Sequence, residues 1–491
     1  MSTRTSVRIA LIAGSIVALA ACGKSDVPPT AAPAAPAPAA APAAAPAAAP
    51  APAAAAPAPT VDEAVKRAAA EVYVFAYPMV LSEVTRQREA AVAGLNAFEH
   101  RRGVPGPSTT GVANPNADFL YSQAWLDLSR EPVILSVPDT KGRYYLIAML
   151  DAYSNVAASL GKRTIGTEKR EFAITGPRSK AAIPEYVTEI KSPTEMAWLF
   201  GRIEVGEGAT QAAVTKLQDQ FTLTPLSEYG KKGRRKPAEK PAARAAAPGD
   251  PAAEVAAMDA PTFYSHVAML LPGNPPTKDD APMLDKIRAA GIVPGQPFDM
   301  AKLTPLAATS VQEGLKAARE AVETAAKRVS TADVRNGWSI DRDVGRWGAD
   351  YGKRAVAARR GLGVNAPEDA IFMVARFDAN GQRFDGNNRY VLHFDKGNLP
   401  PTEGFWSLSL YNDQQHFAEN PIHRYNLGSS DNLKTNADGS LDLVVQAADP
   451  GGNANWLPAP KGQFYLILRV YWPKQDVLDG RWAPPGVRRL T

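Results

Sequence analysis

Gln463-Phe464-Tyr465-Leu466-Ile467-Leu468-Arg469-Val470-Tyr471-Trp472 alternates without a break. In an extended chain successive side chains point to opposite faces. Phe464, Leu466, Leu468, Val470 and Trp472 therefore share an oily face, and Tyr465, Ile467, Arg469 and Tyr471 share the other. Two upstream segments repeat the pattern. In Arg389 to Phe394, the oily set Tyr390, Leu392 and Phe394 leaves Arg389 and His393 opposite. In Gly404 to Asn412, Trp406, Leu408 and Leu410 face the core and leave Phe405, Ser407, Ser409 and Tyr411. Leu441 to Gln446 reads as a fourth strand, and Asp378-Ala379-Asn380-Gly381 and Asn436-Ala437-Asp438-Gly439 are turn signals. From about Ile371 onward the chain reads as an all-β sandwich or jelly roll.

Helices precede it. Asp259 caps one carrying Phe263, Val267, Leu270 and Leu271. Asp280 caps a second, with Leu284 and Ile287 inward and Gly291 at its end. Thr304-Pro305 starts a third, with the stripe Val311, Leu315, Ala318, Val322 and Val329 and an exposed Glu323–Lys327 pair. An earlier unit, about 61–229, opens with a helical segment from Glu63 to Phe75 ended by Pro78. It continues through strands at Val133–Val137, Arg143–Tyr153 and Glu171–Thr175. Short strands separated by turns suggest a β-sandwich.

The N-terminus carries an address. Arg4 and Arg8, the apolar run from Ile9 to Ala18 and Leu19-Ala20-Ala21-Cys22 form a secretory signal. The final Cys makes it resemble a bacterial lipoprotein signal, in which Cys22, the only cysteine in the chain, is lipidated. By resemblance to bacterial sorting rules, Gly23 rather than Asp after the cysteine favours the outer membrane. Residues 27–59 are almost wholly Ala and Pro, an extended spacer at about 3.1 Å per residue that reaches roughly 100 Å. The expected partner is thus the membrane, through a lipid anchor. The basic excess concentrates in Lys231 to Arg244, inside a low-complexity tract, about 230–258, without interleaved aromatics. A solvated linker fits that tract better than a nucleic-acid site.

The residues also resemble a known family. Tyr73-Val74-Phe75-Ala76-Tyr77-Pro78, Asn116-Ala117-Asp118-Phe119-Leu120-Tyr121-Ser122 and Asp139-Thr140-Lys141-Gly142-Arg143-Tyr144-Tyr145 are similar to N-terminal motifs of DUF1254/DUF1214 proteins. Ser192-Pro193-Thr194 and Leu217-Gln218-Asp219-Gln220 belong to the same half. Asn336-Gly337-Trp338, Gly386-Asn387-Asn388-Arg389-Tyr390, Phe405-Trp406-Ser407-Leu408, Asn455-Trp456-Leu457-Pro458 and Tyr471-Trp472-Pro473 follow in order. The resemblance implies a mainly β chain with a helical module: an immunoglobulin-like β-sandwich and a C-terminal jelly-roll β-sandwich, the latter spanning about 371–491 after helices at about 259–370. It brings no reaction. The chain departs from the family's frequent pattern at Ala76, where Gly is common, and at Phe119, where Thr is common.

The sequence lacks a Gly-x-Ser-x-Gly elbow, a His-Glu-x-x-His helix, a phosphate-cradling loop and a dinucleotide fingerprint. No cofactor is expected. His416, Glu419 and His423 have ligand-like spacing but read as loop residues, so no metal is assigned. If the C-terminal strands neighbour one another, one sheet face gathers Arg389, His393, Ser407, Tyr411, Arg469 and Tyr471. That set can hold a carboxylate, phosphate or sugar, or can serve as a domain interface. His393 is the candidate catalytic acid/base, with Arg389, Tyr411, Arg469 and Tyr471 as ligand-binding candidates. Asn114, Asn116, Asp118, Tyr121, Arg143 and Asp151 form an N-terminal candidate, against the alternative of Asx-turns. Trp338, Trp347 and Trp456 suit core or interface, with a carbohydrate-stacking surface as the alternative. Two functions are expected: a small-molecule- or glycan-directed enzyme or binder with a site between the β domains, or a non-catalytic envelope scaffold.

Overall fold

The helix that opens the folded chain runs straight through its proline. In the computed structural model, which describes residues 60–109, 113–206, 210–231, 249–328, 333–452 and 454–490, α1 spans Glu63–Ala93. Cys22, the signal, the spacer and most of the basic tract lie outside the described residues. Asp62 caps α1 by accepting from the Ala64 and Val65 amides. The expected stop at Pro78 does not occur. An interior proline costs about 3 kcal/mol, but each fully buried large apolar side chain returns about 1.5–3 kcal/mol, and α1 buries Val72, Tyr73, Phe75, Tyr77, Met79 and Val80 around it. Arg354 Nη2 also donates to the Phe75 carbonyl at 3.2 Å, serving backbone beside the interruption.

Among the described residues nine strands form the first sandwich. One sheet orders β1 (Glu99–His100), β2 (Phe119–Asp127), β8 (Met196–Glu204), β4 (Tyr145–Asp151) and β5 (Val156–Gly161). The other orders β7 (Thr188–Lys191), β6 (Arg170–Thr175), β3 (Val133–Val137) and β9 (Thr222–Pro225). Two short helices, α2 (Lys162–Ile165) and α3 (Gln211–Gln218), flank them. Leu120, Leu126, Leu135, Ile147, Phe172 and Leu199 fill the space between the sheets.

The helical module comprises α4 (Pro251–Ala257), α5 (Ala260–Leu270), α6 (Ala281–Ala289), α7 (Pro305–Lys327) and α8 (Tyr351–Arg360), with α1 packed among them. The low-complexity tract thus ends sooner than its composition suggests, because Asp250 caps α4 within it. Asp259 and Thr304 cap α5 and α7 through their side chains. The inward face of α6 is Met283 and Ile287, whereas Leu284 is 40% exposed. Glu323 pairs with Arg359 of α8 rather than with Lys327. Gly314 lets α7 lie close on α1: a Cβ there would stand 2.3 Å from the Lys66 carbonyl.

The second sandwich has a six-stranded sheet, β10 (Val334–Arg335), β11 (Trp338–Ile340), β12 (Ala370–Ala375), β18 (Phe464–Pro473), β14 (Thr402–Asn412) and β15 (Asn426–Gly428). Its partner sheet is β17 (Trp456–Pro458), β16 (Leu441–Gln446), β13 (Arg389–Phe394) and β19 (Arg488–Leu490). A short helix, α9 (Gln475–Leu478), follows β18. Trp406, Leu408, Leu466, Leu468, Tyr390, Leu392 and Phe394 meet in its core. Trp338, Trp347 and Trp456 are buried. Trp472 leaves the alternation: its φ of 51° marks an irregularity inside β18, and it packs outside the core with Phe119 and Tyr144.

Candidate functional site

Strand order decides which candidates meet. β14 and β18 are neighbours, with Ser407 opposite Arg469 and Tyr411 opposite Tyr465. Tyr411, Arg469 and Tyr471 accordingly share one face. β13 lies in the other sheet, paired with β16 and β19, so Arg389 and His393 do not join them. Both strands are amphipathic with the same period, and parity alone cannot say whether two such strands adjoin or face each other across a core.

The face bearing Arg469 is covered by the first sandwich. Asp118, 7% exposed, enters from the loop before β2. Its carboxylate accepts from Ser407 Oγ at 2.6 Å, from Tyr471 Oη at 3.2 Å and from Asn426 Nδ2. Asn116 Oδ1 accepts from the Asp118 amide at 2.8 Å, an Asx-type turn, while its Nδ2 donates to Tyr471 Oη at 2.6 Å. Arg469 donates to Ser409 Oγ at 2.9 Å and to the Asn114 carbonyl at 3.2 Å, and its guanidinium lies 5.1 Å from the Phe372 ring centroid and 5.5 Å from that of Tyr411. Tyr411 Oη donates to the Pro115 carbonyl at 2.6 Å. Beside this network Phe119 packs among Tyr144, Phe405 and Tyr471.

Burial pushes the Asp118 carboxyl up from its ordinary value, opposed by the Ser407 hydrogen bond, the Arg469 charge and the bonds from Asn426 and Tyr471. Burial likewise raises the Tyr411 and Tyr471 phenols. The junction is packed with side chains from both sandwiches and holds its carboxylate by internal donors. It joins the two halves.

The remaining N-terminal candidates separate. Tyr121 stacks on Phe200 at 5.3 Å on the outer face of β2 and β8. Arg143 Nη1 donates to the Glu204 carbonyl at 2.9 Å. Asp151 accepts from the Tyr153 and Asn155 amides and folds its own turn. Gln218 is fully buried and donates to the Tyr121 carbonyl at 2.9 Å. His423 stands 4.0 Å from Glu419. Among the described residues no group of three His, Cys, Asp or Glu side chains is placed to share a metal ion.

His393 lies on the outer face of the four-stranded sheet. Its Nδ1 is 2.6 Å from Asp442 Oδ1 across the β13–β16 ladder, and Asn436 Nδ2 donates to Asp442 Oδ2 at 2.9 Å. Its Nε2 is 3.3 Å from the exposed Asp395 carboxylate. The ring lines a surface cavity of about 370 Å³ with Asn336, Asp395 and Arg488. A carboxylate at Nδ1 fixes the ring's orientation, while Nε2 faces Asp395, which also lines the cavity. Arg488 is the cation here, in place of Arg389, which is an exposed residue opening β13. Sequence reading missed Arg488 because β19 has only three residues, Arg488–Leu490, too few for a period. It missed Asp442, although Asp442 stands on the polar face of the expected strand Leu441–Gln446.

Two family models match. DUF1254, a protein of unknown function, covers residues 95–225, and DUF1214, likewise, covers residues 369–475. The chain belongs to the DUF1254/DUF1214 family. The DUF1254 match covers most of the first sandwich and the DUF1214 match most of the second, so the Asp118–Ser407 contact joins the two family domains. The crystal structure of the VPA0106 protein from Vibrio parahaemolyticus is similar at 25% identity and a TM-score of 0.65, covering 87% of this chain and 100% of that one. An uncharacterised protein from Burkholderia cenocepacia aligns at 13% identity and a TM-score of 0.42, over 87% of this chain and 94% of its own. A search of curated proteins returns no match.

Proposed function

We propose that this DUF1254/DUF1214 protein binds, or acts by proton transfer on, an anionic small molecule or acidic glycan at the His393 cavity. The observation that carries this reading is the oriented His393–Asp442 pair opening beside Arg488 on a cavity of about 370 Å³. Arg488 supplies a forked donor for a carboxylate or phosphate, and His393 Nε2 is the acid/base nitrogen. Asp395 is exposed and can yield Nε2 to a ligand. Hydrolysis or elimination is the chemistry that asks least of such a pair.

The test is a thermal-shift screen of the full-length protein against carboxylates, acidic oligosaccharides and phosphate, since a ligand of the native state raises its melting point. The stabilisation by at least one of these ligands is reduced in His393→Gln and in Arg488→Leu. A panel whose shifts are all undiminished in both variants places the binding elsewhere and rejects the reading.

A second reading, a non-catalytic envelope scaffold, is favoured by the filled junction between the sandwiches. It expects no ligand response at His393 and a protein partner instead. Under either reading the setting is the cell envelope, with the body tethered through lipidated Cys22 and the Ala/Pro spacer; the sequence signal from Arg4 to Cys22 supports this. Among the described residues no helix is long and apolar enough to cross a membrane. Cys22→Ser abolishes acylation and membrane fractionation if the tether is real, and unchanged fractionation rejects it.

A further inference from the structure

β8 places one arginine where its charge has no hydrogen-bonded answer. Arg202 is 3% exposed, and its Nε and Nη2 have no hydrogen-bond partner among the described residues. Its guanidinium carbon stands 5.0 Å from the Phe200 ring centroid and 5.7 Å from that of Tyr121. Those rings belong to a stacked ladder that continues from Phe200 to Trp198 at 4.6 Å and on to Trp125 at 5.1 Å. A guanidinium whose face lies on aromatic rings offers only its edge for hydrogen bonding. Nε and Nη2 form one such edge, and two parallel N–H donors match the two oxygens of a carboxylate.

Burying a donor without a partner costs about 1–3 kcal/mol, and more for a charged group. Other buried arginines of this chain avoid most of that cost: Arg469 donates to Ser409 and Asn114, and Arg354 to the Phe75 carbonyl. Arg202 sits where three parts of the fold meet. Phe119 and Tyr144 on the same sheet face contact the second sandwich, whereas Trp125 and Trp198 pack into the helical module. Beyond α8, Gly363 lies against the ladder, so that a Cβ there would stand 3.0 Å from the Phe200 ring.

We propose that Arg202 anchors a carboxylate-binding site at this three-way meeting, taking a monocarboxylate, or the carboxylate end of a larger ligand, side-on through Nε and Nη2. The site is separate from the His393 cavity. A flat acceptor suits it. The guanidinium lies against the Phe200 and Tyr121 rings, and a planar carboxylate paired with its edge continues that plane, whereas a tetrahedral phosphate puts oxygens out of it.

The test titrates acetate, galacturonate and phosphate into full-length His393→Gln protein, in which the cavity site is impaired, at constant ionic strength, set with chloride, and follows melting. The proposal expects stabilisation by the carboxylates and less by phosphate. Arg202→Lys, which keeps the charge but loses the fork, weakens the response about tenfold or more. Arg202→Met abolishes it and, without carboxylate, melts no lower than the parent, because it removes an unpaired buried charge. Both Arg202 substitutions are made in that His393→Gln background. Indifference of the His393→Gln protein to both carboxylates overturns the proposal, as does equal or greater stabilisation by phosphate or a response surviving in both Arg202 variants.

Discussion

Asp118 of the first sandwich accepts a hydrogen bond from Ser407 of the second at 2.6 Å, across 289 residues of chain, and both side chains are buried. Neither domain alone can satisfy that carboxylate. Asp118→Asn replaces an acceptor by a donor in front of Ser407, Asn426 and Tyr471, and should cost about 1–3 kcal/mol of stability by denaturant unfolding. Ser407→Ala should be milder. The double variant should show a coupling of about 0.5–3 kcal/mol, and strictly additive effects would mean that the bond does not hold the domains together.

Phe119 fills the apolar part of the same junction, where a threonine is frequent in the family pattern. Fully buried, it touches Phe405, Tyr144 and Tyr471. Phe119→Ala should lower stability by about 3–5 kcal/mol. A loss below about 1 kcal/mol would show that the junction can collapse around the gap.

His100 gives a pH signature. Burial, followed by the charge of Arg102, pushes its imidazole down to about 4, while Nδ1 lies 2.8 Å from Ser122 Oγ. Between that value and an unfolded value of about 6.5 the unfolded chain holds the extra proton, so stability falls as pH falls through this window. Burial-raised carboxyls such as Asp118 and Glu204 act with the opposite sign, their contribution fading as pH rises. The difference in melting temperature between parent and His100→Asn should therefore change with pH in the window and level off above it. A difference constant across the window would place His100 in an exposed setting.

Gly386 owes its place in the Gly386-Asn387-Asn388-Arg389-Tyr390 motif to packing. A Cβ there would fall 1.7 Å from the Pro460 carbonyl oxygen, which is backbone and cannot swing aside. Gly386→Ala should cost about 1–3 kcal/mol or more. Gly103→Ala, with open space around the position, should be neutral or slightly stabilising. Calorimetric melting of the pair separates the two, and equal behaviour would refute the close approach.

The alternating segments were legible because a strand with one buried face writes its period into the sequence. Phe464 to Val470, Trp406 to Leu410 and Tyr390 to Phe394 all bury the residues their parity picks out. The limit is pairing. His393 and Arg469 occupy equivalent faces of two strands, and only the order β13–β16 against β14–β18 shows them to be apart. Pro78 misled because helix propensity is local, whereas the burial that overrides it comes from α7 and α8, far along the chain. Asp118 and Tyr471, read as separate candidates, meet across the domain junction, a contact no local pattern encodes. Arg202 was within reach, since Trp198, Phe200, Arg202 and Glu204 alternate with Leu199 and Ile203 along β8.

The most direct test of the proposed function reads His393 itself. The chain has five histidines, so the imidazole resonances of labelled full-length protein are few, and His393→Gln assigns one of them. Addition of carboxylates, phosphate and acidic oligosaccharides should shift the His393 signal while the exposed His423 stays in place. If no member of that panel moves His393 more than it moves His423, the His393 cavity is not the binding site and the account of its function fails.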